Sequence, residues 1–135
     1  MAYYYMDSSA LLKLVHEEAG SEQMRAFHKG GDVWLCGDIA RTEVLRGIER
    51  LEPSLPLGER SRVLDGLALM LLDPSIYDLA GRLQPAHLRS LDAIHVAAAL
   101  SLGSDLTALV TYDKRLAEAA TLNGLKVLSP GVTLD

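Results

Sequence analysis

The sequence predicts an α/β fold in which helices cover both faces of a mostly parallel sheet. Short runs of aromatic or β-branched residues alternate with longer segments of helical periodicity, which is typical of parallel strands joined by helical crossovers. The segment Leu88–Leu102 is apolar on nearly every side, as expected of a helix buried in such a fold. Acidic residues follow two of the predicted strands, where open parallel sheets bind their ligands.

The length and composition predict a single domain over residues 1–135. A lone cysteine, Cys36, fits a reducing compartment. The segment Met1–Leu14 has no basic stretch before an apolar run, and Asp7 interrupts it, so we expect no signal peptide. The longest apolar run, Leu67–Leu72, is too short to cross a bilayer. We therefore expect a cytoplasmic protein with no membrane segment.

The net charge of −5 argues against broad electrostatic binding of nucleic acid, which requires clustered lysine and arginine. It does not argue against an enzyme in which a bound metal ion meets the phosphate. One tryptophan and one phenylalanine also leave little surface for stacking bases.

The first half of the chain is predicted to contain two strands and three helices, with Asp7 ending the first strand and glycines marking the later breaks. These elements are the strand Tyr3–Met6, a helix capped by Ser8 or Ser9 and running to about Glu18, a short helix Ser21–Lys29, the strand Val33–Cys36, and a helix from about Ile39 to Glu52.

The second half begins with Gly58–Leu72, which is either a helix throughout or a helix followed by a short strand at Leu69–Leu72, because periodicity does not separate the two. The other predicted elements are a short helix Ile76–Leu83, the buried helix Leu88–Leu102, the strand Leu109–Thr111, a helix from Asp113 to Leu122, and the strand Lys126–Leu128.

Four acids are placed to reach one edge of this sheet: Asp7, Glu43, Asp92 and Asp113. Taken singly, each is explained as a helix cap, a first-turn acid that complements the helix dipole, or a solvated residue. For Asp92 the simplest alternative is that Ser90 caps the helix. Together, these explanations require four acids at one edge by coincidence.

Four carboxylates packed without a cation would repel one another. Mg²⁺ removes that conflict, since it prefers oxygen ligands and takes one or two direct carboxylates with several waters; Mn²⁺ suits the same ligands. We expect Asp7 and Asp92 to bind the metal directly, and Glu43 and Asp113 to act directly or through water. Such a site contains the groups required for phosphodiester hydrolysis. Ser8 either orients a carboxylate or a bound water, or caps the helix; the two are equally favoured.

Other chemistries have little support. The chain has no C-x-x-C, H-E-x-x-H, Walker A or G-x-G-x-x-G motif. His95, on the buried helix, is expected to be a hydrogen-bonded core or near-site residue rather than a metal ligand.

Four segments resemble PIN-domain ribonucleases, and within that family the VapC-type toxins of prokaryotic toxin–antitoxin pairs: YYYMDSSALLKL, TEVLRGI, LRSLDAIHVAAAL, and LVTYDKRLAEAA with GLKVLSPG. The resemblance covers essentially the whole chain in the right order, and the segments around Asp92 and Asp113 are the most specific. It implies an α/β/α sandwich and Mg²⁺- or Mn²⁺-dependent endonucleolytic cleavage of RNA. The four acids occupy the family's acidic positions, and Ser8 its small hydroxyl position.

The resemblance also implies a homodimer neutralised by a cognate VapB-type antitoxin whose tail enters the acidic groove. Basic residues near the edge either meet RNA phosphates or are simply solvated: Lys13, Arg89, Lys114 and Arg115. The region from Glu52 to Gln84 carries no recognised motif, so substrate and antitoxin preference can differ there.

Two other classes of function compete with this one. A phospho-accepting receiver domain has a similar length and Mg²⁺, but it requires paired acids after the first strand, where Asp7 is followed by two serines. The second alternative is a non-catalytic PIN-like binding module, against which the complete set of four acids counts.

Overall fold

The sheet is parallel throughout the residues that the computed structural model describes, 1–134. Its strands lie in the order β3-β2-β1-β4-β5. They are β1 (Tyr3–Met6), β2 (Val33–Gly37), β3 (Ala68–Met70), β4 (Ala108–Val110) and β5 (Val127–Leu128). This order differs from the 2-1-3-4-5 order of flavodoxin-like receiver domains, so the receiver alternative is not supported.

Helices connect these strands. They are α1 (Ser8–Leu12), α2 (Ser21–His28), α3 (Ala40–Leu51), α4 (Leu57–Arg60), α5 (Pro74–Ala80), α6 (Ser90–Ser101) and α7 (Lys114–Leu122). Two short 3₁₀ segments, Ser61–Leu64 and Gly103–Asp105, follow α4 and α6. None of the helices within residues 1–134 is long and apolar enough to cross a membrane.

Two apolar clusters cover the two faces of the sheet, and neighbouring residues of β1 divide between them. Tyr5 packs with α5, α6 and α7 on one face, while Met6 packs with α1, α2 and α3 on the other. Both side chains are fully buried, because successive residues of a strand point to opposite faces. The predicted α/β/α sandwich is confirmed.

The first helix is shorter than predicted, because it ends at Leu12 rather than near Glu18. Leu14 and Val15 leave the helix to pack against the Met6 face, and His16 approaches Glu52, with 2.9 Å between Nδ1 and Oε1. Tertiary packing thus overrides the helical periodicity of this segment. The prediction that a serine caps the helix was also wrong, because Asp7 is the cap.

The ambiguous segment Gly58–Leu72 contains both a helix and a strand. After α4 and the 3₁₀ turn, Gly66 adopts a positive φ of 84°, and β3 then pairs with β2 at the edge of the sheet. The following helix, α5, starts two residues earlier than predicted, since Asp73 caps it through the Ile76 amide at 3.2 Å.

The helix α6 forms the predicted buried segment, although not on every side. Its middle residues, His95 to Ala99, are buried, whereas Leu91 is 51% exposed. Arg89 occupies the N-cap without a side-chain hydrogen bond, so the alternative that Ser90 caps this helix was wrong.

Candidate active site

The four predicted acids lie at or beside the carboxyl edge of the sheet, and two of them follow adjacent strands. Met6 of β1 pairs with Val110 of β4, so the chain segments that carry Asp7 and Asp113 leave the sheet side by side. Each then caps the helix that follows it. Glu43 lies in the first turn of α3, and Asp92 in the first turn of α6.

Asp7 is buried, with 3% of its surface exposed, and its carboxylate accepts three hydrogen bonds from the protein. Oδ1 accepts from Ser9 Oγ at 2.7 Å and from the Ala10 amide at 3.0 Å, while Oδ2 accepts from Thr111 Oγ1 at 2.6 Å. Burial raises the pKa of Asp7, and the charge of His95 and these hydrogen bonds only partly offset that rise.

Two hydroxyls, from Ser9 and Thr111, organise this part of the site. Thr111 Oγ1 also accepts from the Asp113 amide at 3.0 Å, so one side chain links two of the acids. Ser9 Oγ accepts from the Tyr112 amide at 2.9 Å and thereby ties α1 to the end of β4. Neither role was predicted from the sequence, from which Ser8 was the expected hydroxyl; Ser8 makes no side-chain hydrogen bond to any residue among 1–134. Only the pairing of β1 with β4 would have indicated Thr111.

Glu43 is held by a histidine rather than by hydroxyls. Its Oε1 lies 2.6 Å from Nε2 of His95, and Nδ1 of His95 lies 2.7 Å from the Tyr5 hydroxyl. Burial alone would lower the pKa of His95, but the hydrogen bond and charge of Glu43, with contributions from Asp7 and Asp92, raise it. The expectation of a hydrogen-bonded histidine beside the site is confirmed.

Asp92 is the least satisfied of the four acids. Its Oδ2 is buried and has no hydrogen-bond partner among the described residues. Arg89 Nε lies 3.5 Å from that oxygen, within ion-pair distance, and Arg89 Nη2 lies 3.9 Å from Asp113 Oδ2. Burial and the nearby charge of Asp113 raise the pKa of Asp92, although Arg89 lowers it in part.

The carboxylate oxygens of the four acids suit a hard divalent cation, although they do not form a complete coordination shell by themselves. Nowhere in residues 1–134 do three His, Cys, Asp or Glu side chains gather closely enough to hold an ion by themselves. Oxygen atoms nonetheless remain with accepting capacity: the partnerless Asp92 Oδ2, and Asp7 Oδ2, which accepts a single hydrogen bond. Because Mg²⁺ keeps several waters and takes one or two protein carboxylates, this pattern fits such an ion.

A cavity of about 390 Å³ opens beside Asp92. Arg89 and Arg115 line it together with Leu88 and Glu118, so its wall combines cationic, apolar and acidic groups. Guanidinium groups at such a wall suit phosphate binding.

The other two basic residues considered from the sequence differ from these. Lys13 is 8% exposed, lies 2.9 Å from Glu18 and stands over the Tyr112 ring, so it is held within the fold. Lys114 is exposed and lies 4.0 Å from Glu118.

Comparison with known proteins gives one consistent result. The sequence matches the PIN domain family over residues 4–122. It is 40% identical to "Ribonuclease VapC46" of Mycobacterium tuberculosis over 96% of this chain and 99% of that protein. It is 39% identical to "Ribonuclease VapC47" of the same species over 94% and 96% of the two chains.

A solved structure is also similar in fold. The crystal structure of Mycobacterium tuberculosis VapC20, described as a sarcin-ricin loop cleaving toxin, aligns with a TM-score of 0.71 over 94% of this chain and 99% of that one. Sequence identity there is only 12%, so this likeness concerns the fold alone.

Proposed function

This chain belongs to the PIN-domain family and to its VapC ribonucleases, and on that premise we propose that it is a metal-dependent endoribonuclease. It hydrolyses RNA phosphodiester bonds and is the toxin component of a toxin–antitoxin pair. Relatives named as ribonucleases, of nearly the same length, support the choice of RNA as substrate.

The observation that carries the proposal is the unsatisfied carboxylate of Asp92. Buried polar atoms normally have a partner, and a buried charged oxygen without one is costly. In the described residues Asp92 Oδ2 has no hydrogen-bond partner, and its nearest cation is the exposed Arg89, whose Nε lies 3.5 Å away. The oxygen lies at an edge with three further acids, and Asp113 adds negative charge beside it. A bound cation would coordinate that oxygen and reduce the repulsion between the neighbouring carboxylates.

We assign the metal to Asp7 and Asp92 as direct ligands, with Glu43 and Asp113 acting directly or through water. When bound, Mg²⁺ or Mn²⁺ lowers the pKa of a coordinated water and stabilises charge on the phosphoryl oxygens. Within the chain, Ser9 and Thr111 fix the Asp7 carboxylate. We assign to Glu43 the role of orienting the attacking water and accepting its proton.

The RNA strand is proposed to cross the cavity beside Asp92. There Arg89 and Arg115 meet backbone phosphates, which offsets the repulsion expected from a protein of net charge −5. Unpaired RNA suits such a site, because proteins reach splayed bases and phosphates most readily in loops.

The direct test is cleavage of total cellular RNA by the purified protein with Mg²⁺, with Mn²⁺ and with EDTA. We expect discrete fragments with either metal and none with EDTA. Asp7→Asn and Asp92→Asn should each reduce the cleavage rate by about a thousandfold, since each removes a ligand for transition-state charge.

Asp105→Asn is the matched control, because it makes the same chemical change at an exposed position outside the site. Full activity of either site variant would overturn the assignment. A folded wild-type protein that cleaves no RNA with either metal would instead favour a non-catalytic binding module.

We further propose a homodimer in the cytoplasm, bound by a VapB-type antitoxin whose tail enters the acidic edge. Two large apolar side chains, Tyr77 on α5 and Leu91 on α6, are 43% and 51% exposed, and exposed apolar surface of this kind supports a dimer contact. Sedimentation of wild type and Tyr77→Glu tests it; a monomeric wild type at micromolar concentration would exclude the dimer.

A further inference from the structure

A chain of hydrogen bonds runs through the interior and ends on Glu43. The Gly37 amide donates to the Tyr5 hydroxyl at 3.0 Å, the hydroxyl lies 2.7 Å from His95 Nδ1, and His95 Nε2 lies 2.6 Å from Glu43 Oε1. Tyr5 is fully buried and His95 is 2% exposed, whereas the Glu43 side chain is 21% exposed. This series of hydrogen bonds thus starts in the core and ends at Glu43, one of the four acids.

The direction of the hydrogen bonds in this network follows from its two ends. The Gly37 backbone amide can only donate, so the Tyr5 oxygen accepts from it, and at the other end the Glu43 carboxylate can only accept from His95 Nε2. A neutral imidazole that donates from Nε2 has an accepting Nδ1, which receives the hydrogen bond of the Tyr5 hydroxyl.

Packing holds these groups in place. A side chain at Gly37 would bring its Cβ to 3.0 Å from the Tyr5 hydroxyl oxygen and 3.3 Å from Leu72, so the close approach depends on glycine. The rings of Tyr5 and His95 meet edge to face, with centroids 5.8 Å apart. Strands β1 and β2 and helix α6 therefore fix one geometry for the imidazole.

We propose that Tyr5 and His95 are positioning residues that set the orientation of the Glu43 carboxylate for the reaction. A network with a purely structural role would be expected to end within the core. This one ends on an acid whose second oxygen, Oε2, makes no hydrogen bond to the described residues. The inference rests on the proposed function for its catalytic consequence, but not for its geometry.

The geometric part is tested by NMR, independently of activity. In protein with ¹⁵N-labelled histidine, at a pH above the raised pKa of His95 as located by titrating its own ring resonances, we expect His95 to carry its proton on Nε2 and none on Nδ1. Relaxation of a ¹³C-labelled Glu43 side chain should show it ordered in the wild type and more mobile in Tyr5→Phe. A proton on Nδ1, or unchanged Glu43 mobility in Tyr5→Phe, would overturn the proposal.

The catalytic part is tested by a double-mutant cycle. Tyr5→Phe should lower kcat about tenfold with little change in KM, the usual effect of losing a group that orients a reacting residue. In a Glu43→Gln background the same substitution should change kcat by less than about twofold, because the residue through which Tyr5 acts is already altered.

Tyr4→Phe is the matched control, since Tyr4 precedes Tyr5 on β1, packs with Trp34 and Phe27 on the other face, and should leave kcat unchanged. A tenfold loss from Tyr5→Phe that persists in Glu43→Gln would mean general damage to the fold and would refute the positioning role. If the wild type cleaves no RNA, the proposed function fails, while the NMR result still decides whether Tyr5 and His95 orient Glu43.

Discussion

The acidic edge, formed by Asp7, Glu43, Asp92 and Asp113, has two halves that differ in how many hydrogen bonds the protein makes to their carboxylates. Asp7 and Glu43 are held by the protein, the first by Ser9, Thr111 and a backbone amide, the second by His95. On the other side, Asp92 has a buried oxygen without a partner and Asp113 lies next to it, with the exposed Arg89 at ion-pair distance from both.

This difference predicts different roles for the two halves. The satisfied half is held by hydrogen bonds from the protein without any ligand, so it can present its carboxylates in a fixed geometry. The open half has two carboxylates and one exposed arginine at ion-pair distance, so its negative charge is only partly offset, and its energy should change most when a cation binds. We therefore expect substitutions in the first half to lower the stability of the fold by removing hydrogen bonds, and substitutions in the second half to raise it by removing charge.

The largest expected effect comes from breaking the satisfied half at Thr111. Thr111→Val keeps the shape but removes the donor to Asp7 Oδ2 and the acceptor of the Asp113 amide. We expect the free energy of unfolding to fall by about 1–3 kcal/mol, because a buried carboxylate oxygen loses its partner. Urea denaturation measures this.

Thr121→Val serves as the comparison, since within residues 1–134 the Thr121 hydroxyl bonds only to a carbonyl of its own helix, α7. An equal loss of stability in the two variants would show that Thr111 does not hold the acidic edge.

A smaller effect of opposite sign is expected in the open half. In EDTA, Asp92→Asn should raise the free energy of unfolding by up to about 1 kcal/mol, the scale of a partly exposed charge interaction, since it removes repulsion from Asp113. Asp7→Asn should gain less, because the amide cannot accept the proton of Thr111 at Oδ2 as the carboxylate does. Thermal melts in chelator measure both, and a lower melting temperature for Asp92→Asn would argue against crowded charge.

The smallest effect is on the pH dependence of stability without metal. The pKa values of Asp7 and Asp92 are raised above 3.8 in the folded protein, so the folded state binds more protons and stability falls as pH rises through the raised values. The raised pKa of His95 acts in the same direction, with stability present below 6.5 and lost as pH rises through the folded value. Asp92→Asn should flatten the acid part of this slope, and Asp105→Asn should not; identical slopes in EDTA would contradict the assignment.

Much of the fold was predictable because its signals are local. An aromatic run that ends at Asp7 marked β1, and a short apolar run between glycines marked β2. Asp7 and Asp113 each follow a strand, and the carboxyl ends of parallel strands lie at one edge of the sheet. The buried helix was identified from apolar residues on nearly every side, and Asp92 was singled out because a carboxylate is uncommon in such a segment.

The remainder depends on contacts between distant segments. The sequence does not show that Tyr5 on β1 reaches His95 on α6, since that requires knowing which face of each element meets the other. Thr111 was missed for the same reason, because its role follows from the register of β1 with β4. The early end of α1 also reflects packing, as Leu14 and Val15 turn toward the Met6 face.

The most direct test of the account is Mn²⁺ binding to the purified protein by isothermal titration calorimetry, with wild type, Asp92→Asn and Asp105→Asn side by side. We predict that the wild type and Asp105→Asn bind the metal alike, and that Asp92→Asn binds it at least about tenfold more weakly, since it loses a charged ligand. Equal affinity in Asp92→Asn and the wild type would mean that the open half of the acidic edge is not the metal site, and the central claim would be wrong.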